Sequence, residues 1–255
     1  MTPEDLIFLV DTDHWVSDVP PDVVGTALVS PAWIVSRLLG ALVLRLLFRW
    51  HIEGRENLPP GGYVAISNHL NWLDAFAVVL ALPLRPKVHL LGWSAVLDSR
   101  KLAWLIRHSR VGFIPVERER PRTSGSWGAA MRLMHRCLTD GGVVCLFPEG
   151  RVGEVEGSLM PLHPGFAKLA LAASGPVVPI AVSGTRDLWL GKVITVRIGL
   201  PILVGHHDLG SLAEAGRAAL ECLVPEYHEP AGPKLFRHRL TRLIPSLTNT
   251  QVDDD

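Results

Sequence analysis

The chain predicts an α/β fold: a mixed, largely parallel sheet flanked by helices, with an N-terminal amphipathic helix of the kind that lies at a membrane interface. Three observations lead there. From His51 onward, short apolar runs alternate with segments of helical period. Ahead of them stands one almost unbroken apolar run, Pro31 to Trp50. Between two apolar elements sits a polar knot, Ser67-Asn68-His69-Leu70-Asn71-Trp72-Leu73-Asp74, with a histidine five residues ahead of an aspartate.

Composition narrows the classes of function. A chain of 255 residues can bury one sizeable core and keep residues for an appendage. Its 25 basic and 25 acidic residues balance, which argues against general nucleic-acid binding. The three cysteines, Cys137, Cys145 and Cys222, are widely spaced and odd in number. They form neither a disulfide framework nor a zinc pattern, so a reducing compartment is expected. The opening Met1-Thr2-Pro3-Glu4-Asp5 is acidic and lacks the basic start of a secretory signal.

Residues 1–30 mix Pro and Asp and read as an irregular or partly helical arm. Pro31 suits a first helical turn, and the run behind it is interrupted by Arg37, Arg45 and Arg49. Their spacing gathers them on one side of a helix, opposite a wide apolar face. The run approaches the roughly 20 residues of a bilayer span. An arginine at the centre of a span costs roughly 2.5–3.5 kcal/mol, so an interfacial helix is favoured over a span. A helix packed on the core is the bland alternative.

Further on, Tyr63–Ser67, Lys87–Gly92, Arg110–Val116, Gly142–Phe147, Val177–Ser183 and Val193–Ile198 predict strands. Asp74–Leu82, Ser124–Asp140, Pro164–Ser174 (closed by Gly175) and Ser211–His228 predict helices. The tail around Lys234–Ile244 is basic and amphipathic, a solvated helix or a membrane-surface contact. The expected division is an arm and membrane-associating helix over 1–50, a body over 51–230 and a basic amphipathic tail over 231–255.

The polar knot has a chemical reading. Histidine moves protons near neutral pH, and a carboxylate behind it fixes its tautomer and stabilises the imidazolium. The bland reading is a helix start where Asn68 caps amides and His69 merely packs. Three later segments weigh against it. Gly112-Phe113-Ile114-Pro115-Val116-Glu117-Arg118 delivers an arginine at a strand end. Leu146-Phe147-Pro148-Glu149-Gly150-Arg151 breaks a buried strand into Pro-Glu-Gly. Val177-Val178-Pro179-Ile180-Ala181-Val182 is a strand behind the helix that starts near Pro164.

In order, content and spacing, these four segments resemble the sequence blocks of the glycerolipid acyltransferase family, typified by 1-acyl-glycerol-3-phosphate acyltransferase and its H-x-x-x-x-D motif. The resemblance runs from about His51 to Pro201. It implies a membrane-associated O-acyltransferase with 51–230 as its catalytic domain, moving an acyl group from acyl-CoA or acyl-carrier protein to a lysophospholipid hydroxyl. The thioester is a substrate, and no metal or cofactor is implied. His69 becomes the general base and Asp74 its orienting carboxylate. Asn68, Arg118, Glu149, Gly150 and Arg151 become substrate-binding residues, with Arg118 suited to a phosphate through its bidentate fork. The implied partners are a membrane surface, a lysophospholipid and an acyl thioester, and the implied location is the cytoplasmic face of a membrane.

The sequence also departs from the family pattern. Where members read Glu-Gly-Thr-Arg, Gly150 is followed directly by Arg151 and Val152. This form resembles that of tafazzin, a transacylase relative with a lysine at that place. Leu91-Gly92-Trp93-Ser94 lacks a lysine common in the family, for which Lys101 or Lys168 are substitutes. The alternatives are therefore a tafazzin-like phospholipid–lysophospholipid transacylase, a remodelling lysophospholipid acyltransferase, a thioesterase, or a non-catalytic lipid-binding protein. No Gly-x-Ser-x-Gly elbow is present, and Gly184–Lys192 lacks phosphate-loop spacing.

Overall fold

A seven-stranded sheet organises the chain, whose computed structural model describes residues 29–93, 106, 111–116 and 125–244. Its strands are β1 (Arg49–Glu53), β2 (Tyr63–Ser67), β3 (Val88–Trp93), β4 (Gly112–Val116), β5 (Val143–Leu146), β6 (Val177–Ser183) and β7 (Val193–Ile198). They lie in the order β1-β7-β6-β2-β5-β3-β4. Every neighbouring pair is parallel except β6 and β7. The expected mixed, largely parallel sheet is present.

Helices cover both faces, which is why the central strands are apolar on both sides. β2 shows the arrangement. Tyr63 and Ala65 join Trp33 and Phe48, with Leu73, Ala77 and Val78, on one face. Val64 and Ile66 face Met134, Phe166, Leu169, Leu212 and Leu220 on the other. The first layer belongs to α1 (Pro31–Leu47) and α2 (Leu73–Ala81). The second belongs to α3 (Gly125–Thr139), α4 (Gly165–Ala173) and α5 (Leu209–Leu223).

α1 starts where Ser30 caps the Trp33 amide and Pro31 fills the first turn. One stripe, Trp33, Arg37, Ala41 and Leu44, is buried. The opposite stripe leaves Val35, Leu39, Leu42 and Leu46 more than half exposed, up to 74 % at Leu46. The helix thus packs on the core with one side and presents an apolar side outward. No helix among the described residues is long and apolar enough to cross a membrane.

Several boundaries differ from expectation. α1 stops at Leu47 because the chain turns into β1, so Arg49 is a strand residue. β1 is itself unforeseen: Arg-Trp-His-Ile-Glu half-buries alternate residues at the sheet edge and carries no apolar run. Arg37 does not join an outward basic stripe. Its guanidinium is buried and donates to the carbonyls of Leu82 and Pro83, at the C-terminal end of α2, while Arg55 donates to Leu80 and Ala81. Ser174 (φ 49), and not Gly175, takes the left-handed position that closes α4. α5 ends at Leu223, since Pro225 restricts the residue before it.

A short helix, α6 (Arg237–Thr241), is tied to the body. Thr241 Oγ1 accepts the Leu188 amide at 2.9 Å, Leu240 O accepts Trp72 Nε1 at 3.0 Å, and Arg237 pairs with Asp187 at 2.7 Å.

Candidate active site

The site forms where β2 ends and α2 begins. Asn68 closes the strand by imitating one more backbone residue. Its Nδ2 donates to Val182 O and its Oδ1 accepts from Val182 N, both at 2.8 Å. The side chain is therefore buried and fully engaged with β6.

The turn that follows is built on one atom. Asp74 Oδ2 accepts the amides of Leu70 and Asn71 at 2.5 and 2.6 Å, and His69 Nδ1 at 2.9 Å. Asp74 lies in the first turn of α2, where the helix dipole favours a negative charge. Its side chain is 0 % exposed and that of His69 17 %. Because Nδ1 donates to the carboxylate, the neutral imidazole keeps its lone pair on Nε2, which makes no hydrogen bond among the described residues. A partly open histidine with a buried carboxylate behind it is suited to accept a proton and hold it briefly.

The segment after β5 grips His69 from the other side. The Phe147 ring stacks on the imidazole, centroids 4.4 Å apart and planes 26° from parallel. Pro148-Glu149-Gly150 then turns, with the Gly150 amide on Phe147 O at 3.0 Å. Gly150 has φ +68, which L side chains rarely adopt. Glu149 is buried. Its Oε1 accepts the backbone amide of His69 at 2.8 Å and its Oε2 that of Met160 at 3.1 Å. Gly153 N donates to His69 O at 2.7 Å. Both backbone polar groups of His69 are thereby held by one loop. Burial raises the Glu149 carboxyl above its usual range, against the opposing pull of the two amides it accepts.

The same loop is anchored further along. Glu156 accepts the amides of Gly184 and Arg186 at 2.7 and 2.9 Å, and Asn71 Nδ2 donates to Arg186 O at 3.0 Å. The exits of β2, β5 and β6 are thus cross-linked around His69.

Of the residues expected from the sequence, Asn68, His69, Asp74, Glu149, Gly150 and Arg151 come together at the C-terminal ends of β2 and β5. Asn68 and Glu149 spend their polar atoms on backbone groups. Arg151 is exposed. Arg118 and Lys101 lie outside the described residues, and Lys168 is on the exposed side of α4. Sequence reasoning missed the roles of Phe147, Gly153, Asn71 and Glu156. Only Phe147, beside Pro-Glu-Gly, carried a signal; Gly153 acts through its own amide, and the Asn71 and Glu156 side chains answer backbone groups of a distant segment, which leave no residue pattern. It also missed that Cys137 Sγ lies 2.9 Å from His89 Nδ1. Burial pushes that thiol up to about 12, so it is no thiolate nucleophile near neutral pH.

Comparison with known proteins adds to this geometry. A family model described as Acyltransferase matches residues 49–183, more than half of the chain, including Asn68–Asp74 and Phe147–Glu156. The chain is 29 % identical over 149 residues to proteins named 1-acyl-sn-glycerol-3-phosphate acyltransferase alpha from Ovis aries and Homo sapiens. Each alignment covers 56 % of this chain, and 48 % and 49 % of those proteins. A 1-acyl-sn-glycerol-3-phosphate acyltransferase from Limnanthes alba is 30 % identical over 180 residues, 68 % of this chain and 59 % of that one. The chain spans about half the length of the first of these relatives. The crystal structure of the 1-acyl-sn-glycerophosphate acyltransferase PlsC from Thermotoga maritima superposes with a TM-score of 0.60. It covers 75 % of this chain and 78 % of that one at 17 % identity, a likeness of fold.

Proposed function

Because the chain belongs to the acyltransferase family, we propose that it transfers a fatty acyl group from an acyl thioester to a lysophospholipid hydroxyl, with 1-acyl-glycerol-3-phosphate as the acceptor. The observation that carries the reading is the 2.9 Å contact from His69 Nδ1 to Asp74 Oδ2, which leaves Nε2 as the basic nitrogen. His69 takes the hydroxyl proton as the oxygen attacks the thioester carbonyl. The new carbon–oxygen bond forms, the carbon–sulfur bond breaks, and the imidazolium returns its proton to the leaving thiolate. Asp74 orients the ring and stabilises its charged form.

Glu149 acts here as a positioning residue through the His69 amide. Arg118 and Arg151 are assigned to the acceptor phosphate and Gly150 to the turn beside it. Residues 51–230 form the catalytic domain, 1–50 the arm and membrane-associating helix, and 231–255 a basic tail. The exposed apolar side of α1 supports seating at a membrane interface, and the cytoplasmic face is the side assigned to it.

The test is transfer from radiolabelled acyl-CoA to a panel of lysolipids in mixed micelles, beside His69→Ala. Labelled phosphatidic acid that disappears in the variant is the expected result. Product with other lysolipids alone moves the reading to remodelling. A tafazzin-like transacylase is the second reading, favoured by Arg151 standing directly after Gly150. It requires transfer from a phospholipid donor with no thioester present.

A further inference from the structure

A cavity of about 750 Å³ lies at the end of β2 and α2 remote from His69, between α1, the residues leading into β2 and the segment after α2. Tyr63 and Leu82 border it, whereas His69 and Asp74 belong to the other ends of the same elements. Four arginines line it: Arg37, Arg45, Arg55 and Arg85. None of them pairs with a carboxylate among the described residues, although four like charges in one cavity repel. Arg37 is almost wholly buried, and burial together with the neighbouring Arg55 lowers its guanidinium to about 10. Tyr63, 1 % exposed, has a hydroxyl with no hydrogen-bond partner among the described residues.

Buried charge without a counter-charge and a buried hydroxyl without a partner are both costly, and both ask for a ligand that answers them. Arg37 and Arg55 spend donors on the end of α2. Arg45 and Arg85 are exposed and make no hydrogen bond among the described residues, so their forks can grip phosphate oxygens. Leu38, itself on the cavity wall, adjoins the outward apolar side of α1. An occupant with an anionic head and an apolar tail meets both surfaces at once.

We propose that this cavity holds the phosphate headgroup of an anionic phospholipid, as a docking site separate from the catalytic one. The site fixes how the protein sits on a charged bilayer, with α1 in the interface and the arginines at headgroup depth.

The test is flotation of the full chain with vesicles of phosphatidylcholine, plain or doped with phosphatidic acid. R45Q/R85Q is compared with R49Q/R136Q, which removes equal charge at exposed arginines elsewhere. The expected result is a loss of about tenfold or more in affinity for doped vesicles in R45Q/R85Q and less than about twofold in the control, with melting temperatures unchanged. Equal loss in both variants, or no preference of the wild type for doped vesicles, overturns the proposal. A second arm titrates water-soluble short-chain phosphatidic acid against wild type and Tyr63→Phe. Saturable binding weakened in the variant supports the site. Equal competition by inorganic phosphate assigns it to a free anion and overturns the lipid assignment. Phosphatidic acid is also the product of the proposed transfer, so only the binding that is lost in R45Q/R85Q or Tyr63→Phe, whose side chains line this cavity and not the His69 site, is assigned here.

Discussion

The backbone amide of His69 donates to Glu149 Oε1 at 2.8 Å, across 80 residues of sequence. With the Gly153 amide on His69 O at 2.7 Å, the histidine's main chain is held at both ends by a loop from another strand. The position of the imidazole is therefore set by two strands and not by the turn after β2 alone.

Glu149→Gln keeps the volume but leaves one acceptor oxygen for two buried amides. We expect a loss of about 1–3 kcal/mol in urea unfolding. The kcat for acyl transfer is expected to fall while KM for donor and acceptor stay near wild type. Acid titration gives a second reading. The folded carboxyl binds its proton more tightly than the unfolded one, whose ordinary value is 4.5. Its contribution to stability is complete below that value and is lost as pH rises through the folded pKa. Glu149→Gln should remove this decline.

Asp74→Asn keeps an oxygen for the Leu70 and Asn71 amides but removes the charge that stabilises the imidazolium. A fall of about 10²–10⁴ in kcat is expected, with circular dichroism unchanged. A fall below tenfold refutes the pairing as the source of basicity.

Asn68→Asp replaces the donor to Val182 O with a second acceptor. Two acceptors then face each other in a buried site, at a cost of about 1–3 kcal/mol or more, read as a lower thermal midpoint. KM for acyl-CoA should not change in the protein that remains folded. A raised KM with unchanged stability would make Asn68 a substrate contact instead.

Lys192 is buried. Its Nζ donates to Asp187 O at 2.6 Å and lies 4.1 Å from the centroid of the Trp189 ring. Burial lowers it from 10.5 to about 8. Between those values the unfolded chain binds the extra proton, so stability should rise with pH across the interval. Lys192→Met should flatten that rise in urea midpoints measured from pH 7.5 to 10.5.

The fold was legible wherever burial leaves a pattern. β2, β6 and β7 lie within a residue of expectation because their apolar runs are bounded by turn residues. β1 was not legible, since an edge strand of alternating half-buried residues resembles a loop. Arg37 was placed on the wrong side of α1. Charge periodicity cannot register that the end of α2 needs donors and that an arginine supplies them. At the site, the spacing of His69 and Asp74 was readable because their contact is local. Glu149, Gly153 and Glu156 answer backbone amides and carbonyls from distant segments, and any residue can supply those.

The pairing of Arg49 with Val193 joins the first strand to the last. During synthesis, α1 and β1 are complete long before β7 is made. At roughly 5–20 residues per second, they wait on the order of ten seconds without the sheet edge that receives β1. Throughout that interval the stripe of Trp33 and Leu44, later buried, lies bare beside the one that stays exposed. The nascent chain is then apolar around most of the helix, and a chaperone or a nearby bilayer has its best opportunity to capture it before the domain has closed.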